Sequence, residues 1–266
     1  LVNWGQQRHI LVSPPTAGMT WAPEAHYDPT IDAYVVYWSS RLFTSDDVHT
    51  DATEDGNGPQ ILMATTRDFV NFTPAVPYIK SRDIEGLRKT NAGLIDTTIM
   101  ERDGVYYRFT KGTEQTACRP DIVAEKGTDL RAPSSSGEWT KFDTCLSADA
   151  GLPETEGPSA FRSNPGDING DRNYVFVDWY GGLGYIPLYT ESLEDGEVDW
   201  KVPAKSAGDL AFSAGGTPLT AKADKPGAWK RTQVVLTPRA GGIALEFQPS
   251  EGLEIMNVFF KELPAK

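Results

Sequence analysis

The sequence predicts an all-β fold of repeated four-stranded sheets, a β-propeller, followed by a short β-rich C-terminal segment. Three observations carry that prediction. One plan recurs three times along the chain; apolar residues alternate with period two in runs of four to eight; and no segment keeps a 3.6-residue period over three turns. Each repeat opens on a short mouth motif, continues into a strand rich in Tyr and Val, and closes on an aromatic edge.

Taken in order, Leu1-Val2-Asn3-Trp4 reads as the closing strand of a preceding copy. The first full repeat opens at Trp21-Ala22-Pro23-Glu24, runs through Tyr34-Val35-Val36-Tyr37-Trp38-Ser39 and closes at Asp68-Phe69-Val70-Asn71-Phe72-Thr73. The second opens at Leu94-Ile95-Asp96-Thr97. Its next strand, Val105-Tyr106-Tyr107-Arg108-Phe109, follows Asp103-Gly104, a strong hairpin signal, and Gly137-Glu138-Trp139-Thr140-Lys141-Phe142 closes it. The third opens at Glu156-Gly157-Pro158-Ser159, continues through Tyr174-Val175-Phe176-Val177-Asp178-Trp179 and closes at Gly196-Glu197-Val198-Asp199-Trp200. The edge aromatics Trp4, Phe72, Phe142 and Trp200 lie 68, 70 and 58 residues apart and are assigned to packing between blades. Residues 84–89 could form at most one short helical turn.

Three repeats and one leading strand are fewer than the ~4 blades that close a ring, so at least one further blade is expected upstream of Leu1. The propeller is assigned to residues 1–205 and a separate tail to 206–266. That tail begins with a linker at 206–216, rich in Gly, Ala and Ser, and continues into strands at 229–236, 242–247 and 253–260.

Charge and composition remove several classes of function. The 266 residues carry 25 Lys and Arg against 37 Asp and Glu, a net charge of −12, which repels phosphate backbones and anionic lipid. No apolar run approaches the ~20 residues of a spanning helix. A soluble chain without nucleic-acid or membrane partners is therefore expected, most simply a monomer. The two cysteines, Cys118 and Cys145, are too few for a zinc site; they could form one bridge or none. The three histidines show no metal-binding spacing, and no Ser or Cys stands in a nucleophile elbow. Asp167-Ile168-Asn169-Gly170-Asp171 has its glycine in the wrong place for a calcium loop and is read as a hairpin turn. No cofactor is required, and structural calcium has no support in the sequence. Asn71-Phe72-Thr73 fits a glycosylation acceptor but is treated as chance.

In a propeller the innermost strands converge on one channel, so the mouth motifs bring Trp21 to Glu24, Asp96 and Glu156 toward the same place. Two carboxylates facing one pocket suit glycosidic cleavage, in which one acid protonates the leaving oxygen while another carboxylate activates water or attacks. Strand-end carboxylates can equally be turn residues or caps. Sugar rings stack on aromatic side chains. Trp21, Trp38, Trp179 and Tyr180 are the candidate substrate contacts, with core packing the competing role for Trp38 and Trp179.

Trp21-Ala22-Pro23-Glu24, then Tyr37-Trp38-Ser39-Ser40, then Ile95-Asp96-Thr97-Thr98 with Asp103-Gly104-Val105-Tyr106-Tyr107, then Glu156-Gly157-Pro158 resemble, in that order, glycoside hydrolase family 43. The likeness covers about residues 1–203. It implies a five-bladed propeller that cleaves arabinose- or xylose-containing plant polysaccharides with inversion, of α-L-arabinofuranosidase or β-xylosidase type, and a secreted, extracellular protein. By the same resemblance Glu156 is the general acid, and Asp96 orients that acid and raises its pKa. Thr97 stands where the family usually has Pro. The family's general base is an Asp of the first blade, upstream of anything Leu1 to Trp4 can match, so no residue here takes that role, and the family's late His-Gly motif has no counterpart. The expectation is a portion of a longer enzyme. The alternative is a non-catalytic carbohydrate-binding propeller protein lacking the general base; a fructan-cleaving relative lacks support because its nucleophile and acid motifs are missing. The tail resembles, weakly, the closing strands of carbohydrate-binding sandwich modules.

Overall fold

The computed structural model describes residues 5–45, 58–85, 87, 93–113, 118–167, 170–182, 184–194, 196 and 198–202, together with the backbone of three strands between 209 and 249. The chain divides into two compact units, Leu1–Val202 and Pro203–Lys266.

The first unit is built from three antiparallel meanders. The first sheet orders β1 (Trp21–Asp28), β2 (Ala33–Ser40), β3 (Gln60–Thr66) and β4 (Val76–Ile79); the second orders β5 (Leu94–Arg102), β6 (Val105–Gly112), β7 (Ile122–Gly127) and β8 (Thr140–Asp143). The third contains β9 (Glu156–Arg162), β10 (Asn173–Trp179) and β11 (Gly184–Thr190), and a single bridge between Tyr189 and Lys201 stands where a fourth strand would lie. Among the described residues helix is limited to the four-residue α1 (Leu146–Asp149) and two 3-10 turns, Ser81–Asp83 and Ser134–Ser136. All three mouth motifs open the first strand of their sheets. The Asp103-Gly104 turn joins β5 to β6, with positive φ at both residues (55° and 83°), as a tight hairpin requires.

Apolar alternation decides how the sheets pack. Val35, Tyr37, Ile61 and Tyr78 of the first sheet meet Leu94, Ile99 and Val123 of the second in one core. On its other face the second sheet presents Met100, Tyr107, Phe109 and Ile122 to Val175, Val177, Ile186 and Leu188 of the third. The second sheet is therefore buried on both faces, and most residues of β6 and β7 are buried, Arg108, Lys111 and Glu125 among them. The edge aromatics Phe142 and Trp200 join this second core, with Phe109 edge-on to both rings, whereas Phe72 packs with Trp38, Leu42, Leu62 and Ala64 on the far face of the first sheet. Trp4 lies outside the described residues.

Two polar devices tie sequence-distant segments together. Arg108, wholly buried, ion-pairs with Glu125 at 2.8 Å and stacks over the Trp139 ring at 3.9 Å. Cys118 and Cys145 form a disulfide, closing the question that composition left open. Beside it the buried Asp121 carboxylate accepts the N–H groups of Ser147 and Ala148, fixing α1 ahead of the third mouth motif.

Two segments depart from the sequence expectation. The first sheet closes at Val76–Ile79, not at 68–73, because Asp68 accepts the N–H groups of Val70 and Asn71 and makes that stretch a turn; Phe72 keeps only an isolated bridge to Thr66. The second unit orders β13 (Thr217–Lys222), β12 (Asp209–Ala214) and β14 (Leu245–Pro249) in an antiparallel sheet, so part of the expected linker is strand. Gly215-Gly216, absorbed into the linker reading by its composition, is also a two-residue hairpin sequence. The expected strand at 242–247 overlaps β14 at its end, and those at 229–236 and 253–260 lie outside the described residues. No helix is long and apolar enough to cross a membrane among the described residues.

Candidate active site

The three mouth motifs share one backbone irregularity. The first strand of each sheet slips register against its neighbour: β1 between Trp21 and Glu24, β5 between Ile95 and Thr97, and β9 between Glu156 and Ser159, opposite Phe176 to Asp178 of β10. At each slip one residue takes a left-handed conformation: Ala22 (φ 45°), Asp96 (φ 49°) and Gly157 (φ 55°). Such bulges re-aim side chains at a strand end. Only Gly157 has no Cβ; one added there would also stand 3.1 Å from the Tyr185 hydroxyl.

The bulges are stitched from one sheet to the next. The Ser39 hydroxyl of the first sheet accepts the Asp96 N–H at 2.9 Å, and the Asp96 carboxylate accepts the Gly157 N–H at 3.2 Å through Oδ2. One register further along, the Thr98 hydroxyl accepts the Ala160 N–H at 3.2 Å and also bonds Glu24, whose Oε2 takes the Tyr37 hydroxyl at 3.2 Å. Strand β5 therefore lies between β1 and β9 and holds the mouths of all three together.

The result is a cluster of carboxylates drawn from different sheets. Glu156 pairs across the ladder with Asp178, and Asp96 stands beside it. Partial burial raises the Glu156 pKa above the usual glutamate range, and the charge of Asp96 raises it further, with Asp178 and Glu154 adding to the effect and Lys111 opposing it. Burial also raises Asp96, against the opposing Gly157 N–H and the Lys111 charge. Glu24 is raised by burial, against the Thr98 and Tyr37 hydroxyls. A carboxylic acid whose pKa is raised by burial and by a neighbouring carboxylate is the kind of group that donates a proton to a leaving oxygen.

The sequence-derived candidates separate on exposure. Trp21 is 58% exposed in the first mouth motif and Tyr180 is 56% exposed, so both rings are open to a ligand. Trp179 is half-buried against the core between the second and third sheets, and Gly182 permits it: a Cβ there would sit 2.4 Å from the indole. Trp38 is not a surface residue. At 1% exposure it packs with Leu42, Leu62 and Ala64 on the far face of the first sheet, because alternation along β2 turns it away from the face that carries Tyr37 and Ser39. Its assignment as a substrate contact is corrected accordingly.

Sequence reasoning passed over four residues of this cluster. Lys111 is buried with its ammonium 3.0 Å from Glu154, Glu154 also bonds the Tyr180 hydroxyl, and Asp178 and Tyr185 flank Gly157. The signal available for the first of these was a lysine two positions beyond Phe109, continuing the strand Val105-Tyr106-Tyr107-Arg108-Phe109. Among the described residues no group of three or more His, Cys, Asp or Glu side chains is arranged to hold a metal.

Comparison with known proteins places this chain in a family. A relative from Bifidobacterium longum subsp. longum, an "Alpha-L-arabinofuranosidase", is 34% identical over 225 residues, which is 76% of this chain and 20% of the relative. The chain thus spans about a fifth of the length of the curated relative it matches. Among solved structures, the Penicillium chrysogenum alpha-L-arabinanase complexed with arabinobiose aligns at 15% identity and TM-score 0.47 over 71% of this chain and 47% of that one. The alpha-L-arabinofuranosidase from Lactobacillus brevis aligns at 13% identity and TM-score 0.42 over 71% and 57%. The family model Glyco_hydro_43_rel, "Probable glycosyl hydrolase domain", matches residues 1–214, and the chain belongs to that glycosyl hydrolase 43-related family.

Proposed function

We propose that this chain carries the acid half of an inverting glycoside hydrolase that acts on arabinose- or xylose-containing plant polysaccharides, with arabinofuranosides the first substrates to test. The observation that carries the reading is the bond from the Gly157 N–H to Asp96, which brings carboxylates from two sheets to one mouth. Glu156 is the general acid: its carboxyl proton passes to the glycosidic oxygen as the bond from that oxygen to the anomeric carbon breaks. Water attacks the anomeric carbon from the opposite face and yields its proton to a base outside the residues assigned here. Asp96 holds the Glu156 mouth in place and, as a neighbouring anion, keeps the acid protonated. Trp21, Tyr180 and Trp179 are the sugar contacts.

In the proposed architecture the three meanders are successive propeller blades with β1, β5 and β9 innermost, a reading supported by the repeated bulge at each mouth and by the two cores between sheets. The Cys118–Cys145 bridge supports a secreted, extracellular protein, since disulfides persist in oxidising compartments.

The test is Glu156→Gln in the full-length protein, assayed on alkyl and activated aryl arabinofuranosides and xylosides. Turnover of the alkyl arabinofuranoside should fall about 10²–10⁴-fold while the activated aryl glycoside, which needs little acid assistance, is largely spared. Proton NMR of the first product should show the inverted anomer. Undiminished alkyl turnover would remove Glu156 from the role of acid, and polysaccharide binding with no released sugar in the wild type would favour the non-catalytic reading.

A further inference from the structure

We propose that Lys111 is a positioning residue for the acid, a buried cation that anchors Glu154 ahead of β9 and balances the carboxylates gathered around Glu156. The inference rests on the reading of Glu156 as proton donor.

Lys111 lies near the end of β6, where β5 slips register around Asp96. Its side chain is 3% exposed, while that of its partner Glu154, 3.0 Å away, is 38% exposed. This asymmetry is informative. A surface carboxylate gains little from an ion pair, and burying an ammonium is costly unless other charges compensate it. The compensation lies on the buried side, where Lys111 acts on both Asp96 and Glu156. Glu154 in turn bonds the Tyr180 hydroxyl, so one lysine links the strand behind the acid to an exposed aromatic residue of the proposed sugar site.

The groups that face Glu156 come from every element around it: Asp96 from β5, Lys111 from β6, Glu154 from the segment before β9, Asp178 from β10 and, among the hydroxyls, Tyr180 and Tyr185, with Glu24 of β1 acting on Tyr185. Four of these are carboxylates, and the cation among them is Lys111. Its removal and the removal of Glu154 should therefore move the acid in opposite directions. Losing the cation lets the proton of Glu156 persist to higher pH; losing the Glu154 anion lets it leave at lower pH.

The experiment measures kcat/KM against pH in the full-length protein for Lys111→Met, Lys111→Arg and Glu154→Gln, on an alkyl arabinofuranoside that depends on the acid. Lys111→Met should move the alkaline limb up by roughly half to one pH unit and lower the plateau about tenfold. Lys111→Arg should return the limb to its wild-type position, and Glu154→Gln should move it down. An alkaline limb that coincides with wild type in Lys111→Met, while Glu156→Gln still abolishes turnover, overturns the proposal. Should Lys111→Met not fold, an unmoved limb in Glu154→Gln overturns it equally. If Glu156→Gln itself keeps full alkyl turnover, the acid reading has failed and this proposal falls with it.

Discussion

The backbone N–H of Gly157 donates to Oδ2 of Asp96 at 3.2 Å, across two strands from different sheets and 61 positions of sequence. This contact ties Asp96 to the backbone beside Glu156, the proposed acid. Glu156 immediately precedes the donor, so the orientation of its mouth depends on a carboxylate that also acts on its proton.

Asp96→Asn separates those two contributions. The amide oxygen can still accept the Gly157 N–H, but the negative charge that raises the Glu156 pKa is gone. In the proposed role Glu156 acts in its protonated form, so lowering its pKa moves the loss of activity to lower pH. The expected result for the full-length protein is an alkaline limb shifted down, with kcat on an alkyl arabinofuranoside reduced about 10- to 100-fold and the melting temperature little changed.

Glu24→Gln tests the cost of a buried charge away from Glu156. The folded-state pKa of Glu24 is raised by burial, so its ionised form destabilises the fold, and that penalty is absent below the ordinary glutamate range and grows as pH rises through the raised pKa. Gln keeps an oxygen for Tyr37 and Thr98 without the charge. The variant should melt at a higher temperature than wild type at pH 7 and within error of it at pH 4. Calorimetry at the two pH values checks the sign.

Arg108→Met tests the core between the first and second sheets. Removing the guanidinium leaves Glu125 buried and unpaired and strips a cation from the face of Trp139. A loss of about 3–5 kcal/mol is expected in urea denaturation. The double variant Arg108→Met with Glu125→Met should recover most of that loss, because no uncompensated charge then remains. Equal losses in the single and double variants would contradict this account.

Much of the fold was legible because it is local. Period-two alternation marked β2, β6 and β10, Asp103-Gly104 marked its hairpin, and the recurring mouth motifs marked the first strand of each sheet. The failures were local as well. Asp68 turned an aromatic stretch that looks like a strand into a turn by capping two N–H groups, and the Gly and Ala content of residues 206–216 concealed β12.

By itself the sequence determined which residues begin the first strand of each sheet and hence that Trp21 to Glu24, Asp96 and Glu156 occupy equivalent places, since a repeat is a property of order along the chain. Tertiary structure decided which side chains share a space. It buried Trp38, left Trp21 and Tyr180 in solvent, and brought Lys111 and Asp178 to Glu156. Burial, and with it the strength of a charge, depends on what neighbouring sheets place alongside a residue. Order along one strand carries no record of that.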